Sequence, residues 1–312
     1  METIIPASEA DWLQLRTKDV TSTEVSALFG CSPYLTRFDL WHRKKSGVIV
    51  EFTATERTEW GLALQDAIAA RTAKLQGWTV RRMDEYIRVP ELRMGSSFDF
   101  EIIDPALKAW ETVSVGLLEI KNVDTLQFKD RWLVDGDNIE APIHIELQVQ
   151  HQLAVSDRSF AYIGALIGGN SLKLVRREPI PDVISAIKTK VSEFWQSIDE
   201  DREPSPVFPQ DAETVIRLSQ YAEPGKVIIG TDDVTEMAKE YKRLGDEIKE
   251  RDALRETIKA ELLLKIGDAE KVKGEQYTIS AGITGEAEIS YTRKAFRNFR
   301  ISWRGEKSGI PS

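Results

Sequence analysis

The chain is poor in cysteine and histidine, with one Cys and three His among its 312 residues. Cys31 alone cannot form an internal disulfide bond. A structural zinc or iron–sulfur site commonly takes about four thiolate or imidazole ligands, more than this composition readily supplies. We therefore expect any bound metal ion to lie on oxygen ligands.

Long apolar runs are also absent. No stretch approaches the ~18 consecutive apolar residues of a membrane-spanning helix. The N-terminal METIIPASEADW has no basic segment followed by an apolar one, which is the pattern of a signal peptide. We therefore expect a soluble cytoplasmic protein without a membrane partner.

The chain also lacks an excess of positive charge. The 42 Lys and Arg are outnumbered by 51 Asp and Glu, which gives a formal net charge of −9. This argues weakly against a protein that coats nucleic acid nonspecifically. It does not exclude a nuclease, because affinity depends on where positive groups cluster and because acidic metal sites add negative charge.

Helix and strand patterns follow one another in a definite order. Capping residues and apolar spacing predict three helices up to Gly47 and a long amphipathic helix that ends at Gly77. Short alternating segments then predict a meandering sheet, followed by a helix after Pro142, two more strands and the helix VISAIKTKVSEFWQSIDE. This order predicts an α/β or α+β protein with the sheet at its centre.

The segment EPSPVFPQD holds three of the 12 prolines and predicts a domain boundary. We place a first domain at 1–208 and an accessory region at 209–312. Within the latter, apolar spacings of three and four predict an amphipathic helix or helical hairpin over 232–266. Next comes a predicted β segment, YTRKAFRNFRISWRGEK, in which basic and aromatic residues alternate. That pattern suits a groove for single-stranded DNA, and equally a half-buried strand with a charged outer face.

Two short segments carry the residues that most clearly indicate a chemical function. GLLEIKN sets Glu119 and Lys121 two apart, on one face of a predicted strand. GSSFDFEI sets Asp99 in a neighbouring strand, with Phe98 and Phe100 on its opposite face. Two carboxylates on adjacent strands suit Mg²⁺, and a neighbouring lysine can hold a water or neutralise a phosphate. Taken alone, this D…(D/E)xK pattern is weak, because a surface ion pair gives the same spacing.

Five segments in order resemble a known family. WLQLRTKDVTSTEVSALFG places Trp12, Arg16, Thr21 and Thr23 on the positions of a W..R…TAS motif. EWGLALQDAIA resembles a WG…E helix, GSSFDFEI and LLEIKN resemble two catalytic strands, and ELQVQHQLAVSD resembles a Q.Q helix. The family is that of the λ-exonuclease-like and YqaJ-type phage recombination nucleases, within the PD-(D/E)xK superfamily.

The resemblance implies a restriction-endonuclease-like α/β core, with a central mixed sheet flanked by helices and a C-terminal helical and β appendage. It also implies an Mg²⁺-dependent exonuclease, with Mn²⁺ expected to substitute. Such an enzyme digests one strand of linear duplex DNA from its 5′ end and leaves a 3′ single strand for an annealing protein. A homo-oligomer is implied as well, with a trimeric ring around DNA as one form, in a bacterial or phage-infected cell.

By the same resemblance, Asp99, Glu119 and the backbone carbonyl of Ile120 would be metal ligands, and Lys121 would position the attacking water. Gln148 or Gln150 would brace this water or Lys121 from the facing helix. Two further residues, matching the family's arginine and serine, would contact the 5′ phosphate: Arg16 and Thr23.

The sequence departs from the family at Gln65, where the helix usually carries Glu. Gln65 can ligate as a neutral group, Asp66 or Glu59 can substitute for it, or the enzyme is weakened or uses one tightly held metal ion. The region after residue 208 also has no counterpart in the short λ enzyme.

Two other functions stay open. A structure-selective or nicking endonuclease on the same core would cut closed circular DNA, on which an exonuclease cannot start. A noncatalytic protein would bind DNA ends without cleavage that depends on a divalent ion. A metabolic enzyme has little support, because no GxxxxGK[ST] loop and no Ser or Cys elbow is present.

Overall fold

The computed structural model describes residues 1–49, 55–103, 116–136, 138–288, 290 and 296–301. The chain divides into two compact units, Met1–Val215 and Ile216–Ser312. The boundary predicted after residue 208 lies close to this division, and the roles assigned to the two regions stay predictions.

The first unit alternates helices with short strands. In chain order its elements are β1 (Glu2–Ile4), α1 (Glu9–Lys18), β2 (Val20–Thr21), α2 (Val25–Leu28), α3 (Arg37–Ser46), α4 (Glu56–Gln76), β3 (Thr79–Arg82), β4 (Tyr86–Val89), β5 (Met94–Ser97), β6 (Phe100–Ile103), β7 (Gly116–Val123), α5 (Thr125–Arg131), β8 (Leu133–Asp135), β9 (Asn138–Glu140), α6 (Ile143–Ser156), β10 (Ala161–Ile167), β11 (Ser171–Arg177) and α7 (Pro181–Asp199). Helix α8 (Ala212–Leu218) crosses the division between the units.

A five-stranded sheet in the order β11-β10-β7-β6-β3 forms the centre of this unit. Strands β7 and β10 are parallel, with Ile163 opposite Glu119, whereas the other neighbouring pairs are antiparallel. A second sheet has the order β1-β4-β5-β2. Helices cover both faces of the central sheet, so the predicted α/β core with a central mixed sheet is confirmed.

Alternation along β7 explains how the sheet is buried. Leu118 and Ile120 pack with Ile68 of α4 in one apolar cluster, and Leu117 packs in the other, which includes residues of α6 and α7. Successive side chains of a strand point to opposite faces. Glu119 and Lys121 therefore lie on the same face as Leu117, towards α6.

The long helix α4 begins and ends with the expected local chemistry. The Thr55 hydroxyl accepts a hydrogen bond from the Thr58 N–H, and the Thr58 hydroxyl accepts one from the Thr55 N–H. This reciprocal pair is a capping box. Gly77 closes the helix in the left-handed region, with φ of 71°. Its bounds agree with the sequence prediction and bring Gln65 over the sheet.

One local expectation was wrong. Asp99 lies at a bend between β5 and β6 and not within a strand. The chain passes here from the second sheet into the central one, and Phe98 and Phe100 are buried in different apolar clusters. The bend turns the Asp99 carboxylate towards the backbone of β7, where it accepts a hydrogen bond from the Ile120 N–H.

The second unit contains α9 (Asp232–Ile266), β12 (Lys271–Lys273) and β13 (Thr278–Ser280). Helix α9 occupies the range predicted for a helix and is a single helix, in which no residue is buried. The predicted basic and aromatic β segment lies partly outside the described residues, as do Tyr291, Arg293, Lys294, Trp303 and Arg304. Its described part, 296–301, carries no strand. None of the helices in the described ranges has the length and apolar character that a membrane span requires.

Candidate active site

Glu119 and Lys121 form an ion pair on β7. The Lys121 Nζ atom lies 2.6 Å from Oε1 of Glu119. Glu119 is buried, whereas 24% of the Lys121 side chain is exposed, so the site is open to solvent at Lys121. Burial alone would lower the pKa of Lys121, but Glu119 and Asp99 outweigh it and hold this pKa above its ordinary value.

Helix α6 holds Glu119 through two glutamines. The Gln148 amide donates to Oε1 of Glu119 at 2.6 Å, and the Gln152 amide donates to Oε2 at 2.8 Å. Gln148 also accepts a hydrogen bond from Lys121 at 3.1 Å. Residues four apart share one face of a helix, so a single turn of α6 supplies both amides. Both oxygens of the Glu119 carboxylate are therefore fixed in direction.

Asp99 reaches the same place from the bend before β6. Its Oδ2 accepts from the Ile120 N–H at 2.8 Å, and its Oδ1 accepts from the Gln65 amide of α4 at 3.0 Å. Burial and the negative charge of Glu119 together raise the pKa of Asp99 to about 7. Two carboxylates thus lie close enough for the charge of one to affect the other, with Glu119 buried and Asp99 partly exposed.

This donor set fits a hard divalent cation. Two neighbouring carboxylates repel each other, and a cation bound to both relieves that repulsion. In the part of the chain that the structure describes, no group of three His, Cys, Asp or Glu side chains is arranged to hold a metal ion. A cation bound to Asp99 and Glu119 therefore needs neutral oxygens for the rest of its shell, such as the Gln65 amide, the Ile120 carbonyl and water.

Arg16 and Thr23, the residues predicted to contact a phosphate, are also brought together. The Arg16 guanidinium donates to the Thr23 hydroxyl at 3.4 Å and to the Thr21 hydroxyl at 3.5 Å. It also lies over the Trp12 ring, 4.7 Å from its centroid. A guanidinium beside two hydroxyls is a suitable group of donors for a phosphate.

Next to this group, the buried Lys44 and the partly exposed Glu24 form an ion pair. Lys44 donates to the Arg16 carbonyl at 2.7 Å and to Glu24 at 2.9 Å. Burial alone would raise the pKa of Glu24, but Lys44 and Arg16 outweigh it and hold this pKa below its ordinary value. Burial outweighs Glu24 at Lys44, whose pKa is lowered. The pair fixes the end of α1 and the loop after β2, and so the positions of Arg16 and Thr23.

The remaining predicted residues lie elsewhere. Gln150 donates to the Glu178 carbonyl at 2.8 Å and accepts from the Ile180 N–H at 2.8 Å, which secures the start of α7. Asp66 pairs with Arg82 at 2.7 Å, and Glu59 is exposed. Of the carboxylates and the amide considered on α4, Gln65 is the one that contacts Asp99.

Sequence reasoning missed Gln152, Glu24 and Lys44. Gln152 follows Gln148 by one helical turn, and that spacing was the signal that could have identified it. Glu24 stands at the end of TSTE, where it resembles an ordinary residue at a helix start. Lys44 lies in HRKK, which is typical of a solvated helix end, and only the tertiary fold buries it.

Part of the chain matches a known domain family. Residues 11–159 match the YqaJ-like viral recombinase domain. The resemblance found in five sequence segments is confirmed. The YqaJ-like domain contains Arg16, Gln65, Asp99, Glu119 and Gln148, so the whole candidate site lies inside it.

One protein of similar sequence and two solved structures match part of the chain. The uncharacterized protein YqaJ of Bacillus subtilis (strain 168) is 28% identical over 190 residues, which are 60% of this chain and 56% of that protein. The chain thus spans a little over half the length of this relative. An alkaline exonuclease from Laribacter hongkongensis is 20% identical with a TM-score of 0.49, over 62% of this chain and 93% of that one. A phage-related exonuclease from Haemophilus somnus 129PT is 14% identical with a TM-score of 0.40, over 58% and 94%.

Proposed function

We propose that this protein is a metal-dependent deoxyribonuclease that hydrolyses phosphodiester bonds. The observation that carries the proposal is the convergence of Asp99, Glu119 and Lys121 from two neighbouring segments onto one place. The match to a viral recombinase domain supports DNA as the substrate. We further propose an exonuclease that digests one strand of linear duplex DNA from the 5′ end and leaves a 3′ single strand for an annealing protein.

In this proposal Asp99, Glu119 and the Ile120 carbonyl would hold Mg²⁺ or Mn²⁺, with Gln65 as a neutral oxygen ligand. Such a cation supplies a Lewis acid for the phosphate and a lowered pKa for water. The protein's own part is to hold the two carboxylates in fixed directions. The Ile120 N–H does this for Asp99, and Gln148 and Gln152 do it for Glu119.

Lys121 has a different part. Its side chain is partly exposed, and Glu119 and Gln148 hold its ammonium group. We propose that the Lys121 ammonium group positions the attacking water and offsets the charge that develops on the phosphate. Because its pKa lies above the ordinary value, Lys121 is charged at neutral pH and acts as a cation rather than as a base.

The preference for an end is assigned to Arg16 and Thr23. A 5′-terminal phosphate carries more charge than an internal phosphodiester, and a guanidinium beside a hydroxyl can recognise that difference. Lys44 and Glu24 keep these groups in place. A phosphate site of this kind favours an exonuclease over an endonuclease on the same core.

A second candidate is a protein that binds DNA ends and does not cleave. The observation in its favour is Gln65, which leaves Asp99 and Glu119 as the two carboxylates of the site. A neutral ligand binds a divalent cation less strongly than a carboxylate does, so weak metal binding would leave an end-binding protein.

The first prediction is cleavage of a linear duplex with 5′ phosphates in Mg²⁺, with no cleavage of a closed circle of the same sequence and none in EDTA. Glu119→Ala should lower the rate by at least about a hundredfold, because it removes a metal ligand and the partner of Lys121. Release of nucleotides from end-labelled DNA measures the rate, and the label that is lost first gives the polarity.

The matched controls are Glu193→Ala and Lys190→Ala, which remove an exposed ion pair of α7 with an N–O distance of 3.3 Å. Both should retain the wild-type rate. Cleavage of the closed circle would support the endonuclease. Binding of ends with no cleavage in either Mg²⁺ or Mn²⁺ would support the noncatalytic protein.

A further inference from the structure

An exposed tyrosine lies beside the candidate active site. The Tyr34 side chain is 79% exposed, in the loop between α2 and α3. Its ring stands edge-on to the ring of His144, with centroids 5.9 Å apart and planes at 86°. A single exposed aromatic residue is common on protein surfaces. Tyr34 is distinguished by its contact with His144 and by the hydrogen bonds that fix its loop.

The loop that carries Tyr34 is anchored on both sides. The Ser32 hydroxyl accepts hydrogen bonds from the N–H groups of Tyr34 and Leu35 at 3.2 and 3.3 Å. Leu35 packs against the main apolar cluster. Thr36 accepts from the Asp39 N–H at 3.1 Å and donates to Asp211 at 2.5 Å. The Tyr34 ring is thus presented to solvent from a fixed backbone.

His144 links this ring to the site. It lies four residues before Gln148 on α6, and residues at this spacing share one face of a helix. Gln148 in turn contacts both Glu119 and Lys121. The row His144, Gln148 and Gln152 therefore runs along α6 over the candidate active site, with Tyr34 against its outer end.

The charges around His144 suit an aromatic surface. Burial and the positive charges of Lys121 and Arg131 lower the pKa of His144, so its imidazole is neutral at neutral pH. Arg131 ends α5 and is exposed. Two uncharged rings thus lie next to two cations, which is the combination that sites for single-stranded nucleic acid use for bases and phosphates.

We propose that Tyr34, supported by His144, is a stacking subsite for a nucleobase of the DNA end that enters the active site. This rests on the proposed nuclease function and adds the part of the substrate that lies beyond the scissile phosphate. Every base has a π face, so the subsite accepts any sequence. A base stacked on Tyr34 is unpaired from the complementary strand, which separates the strand to be cut from the one that is kept.

The direct test uses 2-aminopurine, whose fluorescence is quenched when it stacks on an aromatic ring. It is placed at the 5′-terminal nucleotide of one duplex and at the 3′-terminal nucleotide of a second, and each is bound by the full chain in EDTA. We expect quenching at one of these positions with the wild type and with Tyr34→Phe, which keeps the ring. Tyr34→Ala should lose it, and His144→Ala should reduce it.

A second measurement compares cleavage of normal DNA with DNA that has an abasic nucleotide at the quenched position. Tyr34→Ala should slow cleavage of normal DNA by about tenfold, as expected for loss of one stacking contact. On the abasic substrate, wild type and Tyr34→Ala should be cleaved at equal rates, because neither has a base to stack. Thermal unfolding should be the same for both, since the side chain is exposed.

The outcomes separate the two proposals. Quenching that depends on Tyr34, without cleavage in any divalent cation, would support the stacking subsite and reject the nuclease. Cleavage that Tyr34→Ala leaves unchanged, or slows equally on normal and abasic DNA, would reject the subsite and leave the nuclease in place. Failure to bind either duplex end would reject both.

Discussion

Gln65 is the residue at which this chain departs from the family it resembles, and its contact with Asp99 gives the departure a physical meaning. The amide donates to a carboxylate whose pKa burial and Glu119 have raised to about 7. A glutamate at this position would add a third negative charge to two that already repel. The neutral side chain therefore stabilises the folded protein without metal, and under the proposed function it would bind a cation less strongly than a glutamate.

From this we predict the effect of Gln65→Glu. The variant should unfold at a lower temperature without metal, because it adds repulsion beside Asp99 and Glu119. It should also need roughly tenfold less Mg²⁺ for half of its maximal thermal stabilisation, because ligand charge sets the affinity for hard cations. Thermal unfolding over a Mg²⁺ titration measures both.

Gln76→Glu is the control for this prediction, since it adds the same charge at the exposed end of α4. It should leave the Mg²⁺ dependence unchanged. An unchanged Mg²⁺ requirement in Gln65→Glu would mean that residue 65 takes no part in metal binding.

A short pattern was enough to predict relative positions at the residue scale. The alternation of one strand predicts that Glu119 and Lys121 share a face, as they do in β7, and their catalytic roles stay predictions. The sequence does not distinguish Gln148 from Gln150, and in the structure they have different partners. Two residues apart on a helix means nearly opposite sides, so one amide faces Glu119 and the other faces Glu178. Knowledge of the face that α6 turns to the sheet was the missing information.

At the scale of elements, β5 closely approaches two other chain segments. Gly95 of β5 lies directly beneath Tyr86 and Asp19. A Cβ atom at this position would be 2.2 Å from the Tyr86 hydroxyl and 2.7 Å from Oδ2 of Asp19. Asp19 is buried and accepts hydrogen bonds from Tyr86 and, at two atoms, from Arg88. The absence of a side chain at 95 allows this network to form.

Gly95→Ala should therefore lower the free energy of unfolding by about 2 to 4 kcal/mol, because the added methyl group displaces a hydrogen-bonded network that has little room to move. Gly61→Ala, in the interior of α4 with no atom within 4 Å of the added Cβ, should raise it by roughly 0.5–1 kcal/mol. Denaturant unfolding measures both. Equal effects of the two substitutions would contradict the prediction.

Elements with a strong period were predicted well, and junctions were not. The capping residues and spacing of α4 and α9 gave their positions directly. The GSSFDFEI segment has an alternating pattern throughout, and nothing in it signals that the chain changes sheets at Asp99. That bend depends on Phe98 and Phe100 entering separate apolar clusters, which is a property of the tertiary fold.

At the scale of the whole molecule, one buried histidine is expected to lower the stability of the folded chain in acid. His151 of α6 is 0% exposed, and its Nε2 lies 3.1 Å from the Val20 carbonyl. The hydrogen bond makes Nε2 the donor, and Nδ1 has no hydrogen-bond partner within the described residues. Burial lowers the pKa of His151 to about 4, compared with an ordinary 6.5. The folded chain thus binds this proton less readily than the unfolded chain.

The free energy of unfolding should consequently be unaffected by His151 above pH 6.5 and should fall as the pH decreases towards 4. The loss from this residue is roughly 3 kcal/mol over that interval. Denaturant unfolding at several pH values measures it. His151→Gln keeps an amide donor without a titrating group, so its stability should depend less steeply on pH. The same slope in both proteins would show that other groups cause the acid sensitivity.

The length of α9 determines how far apart its two ends lie. Its 35 residues at about 1.5 Å each give a rod of roughly 50 Å. One turn of duplex DNA is about 34 Å long. The Thr231 and Gly267 ends of α9 are therefore farther apart than one full turn of the double helix. Two DNA contacts made at these two ends would lie more than one turn apart along a duplex.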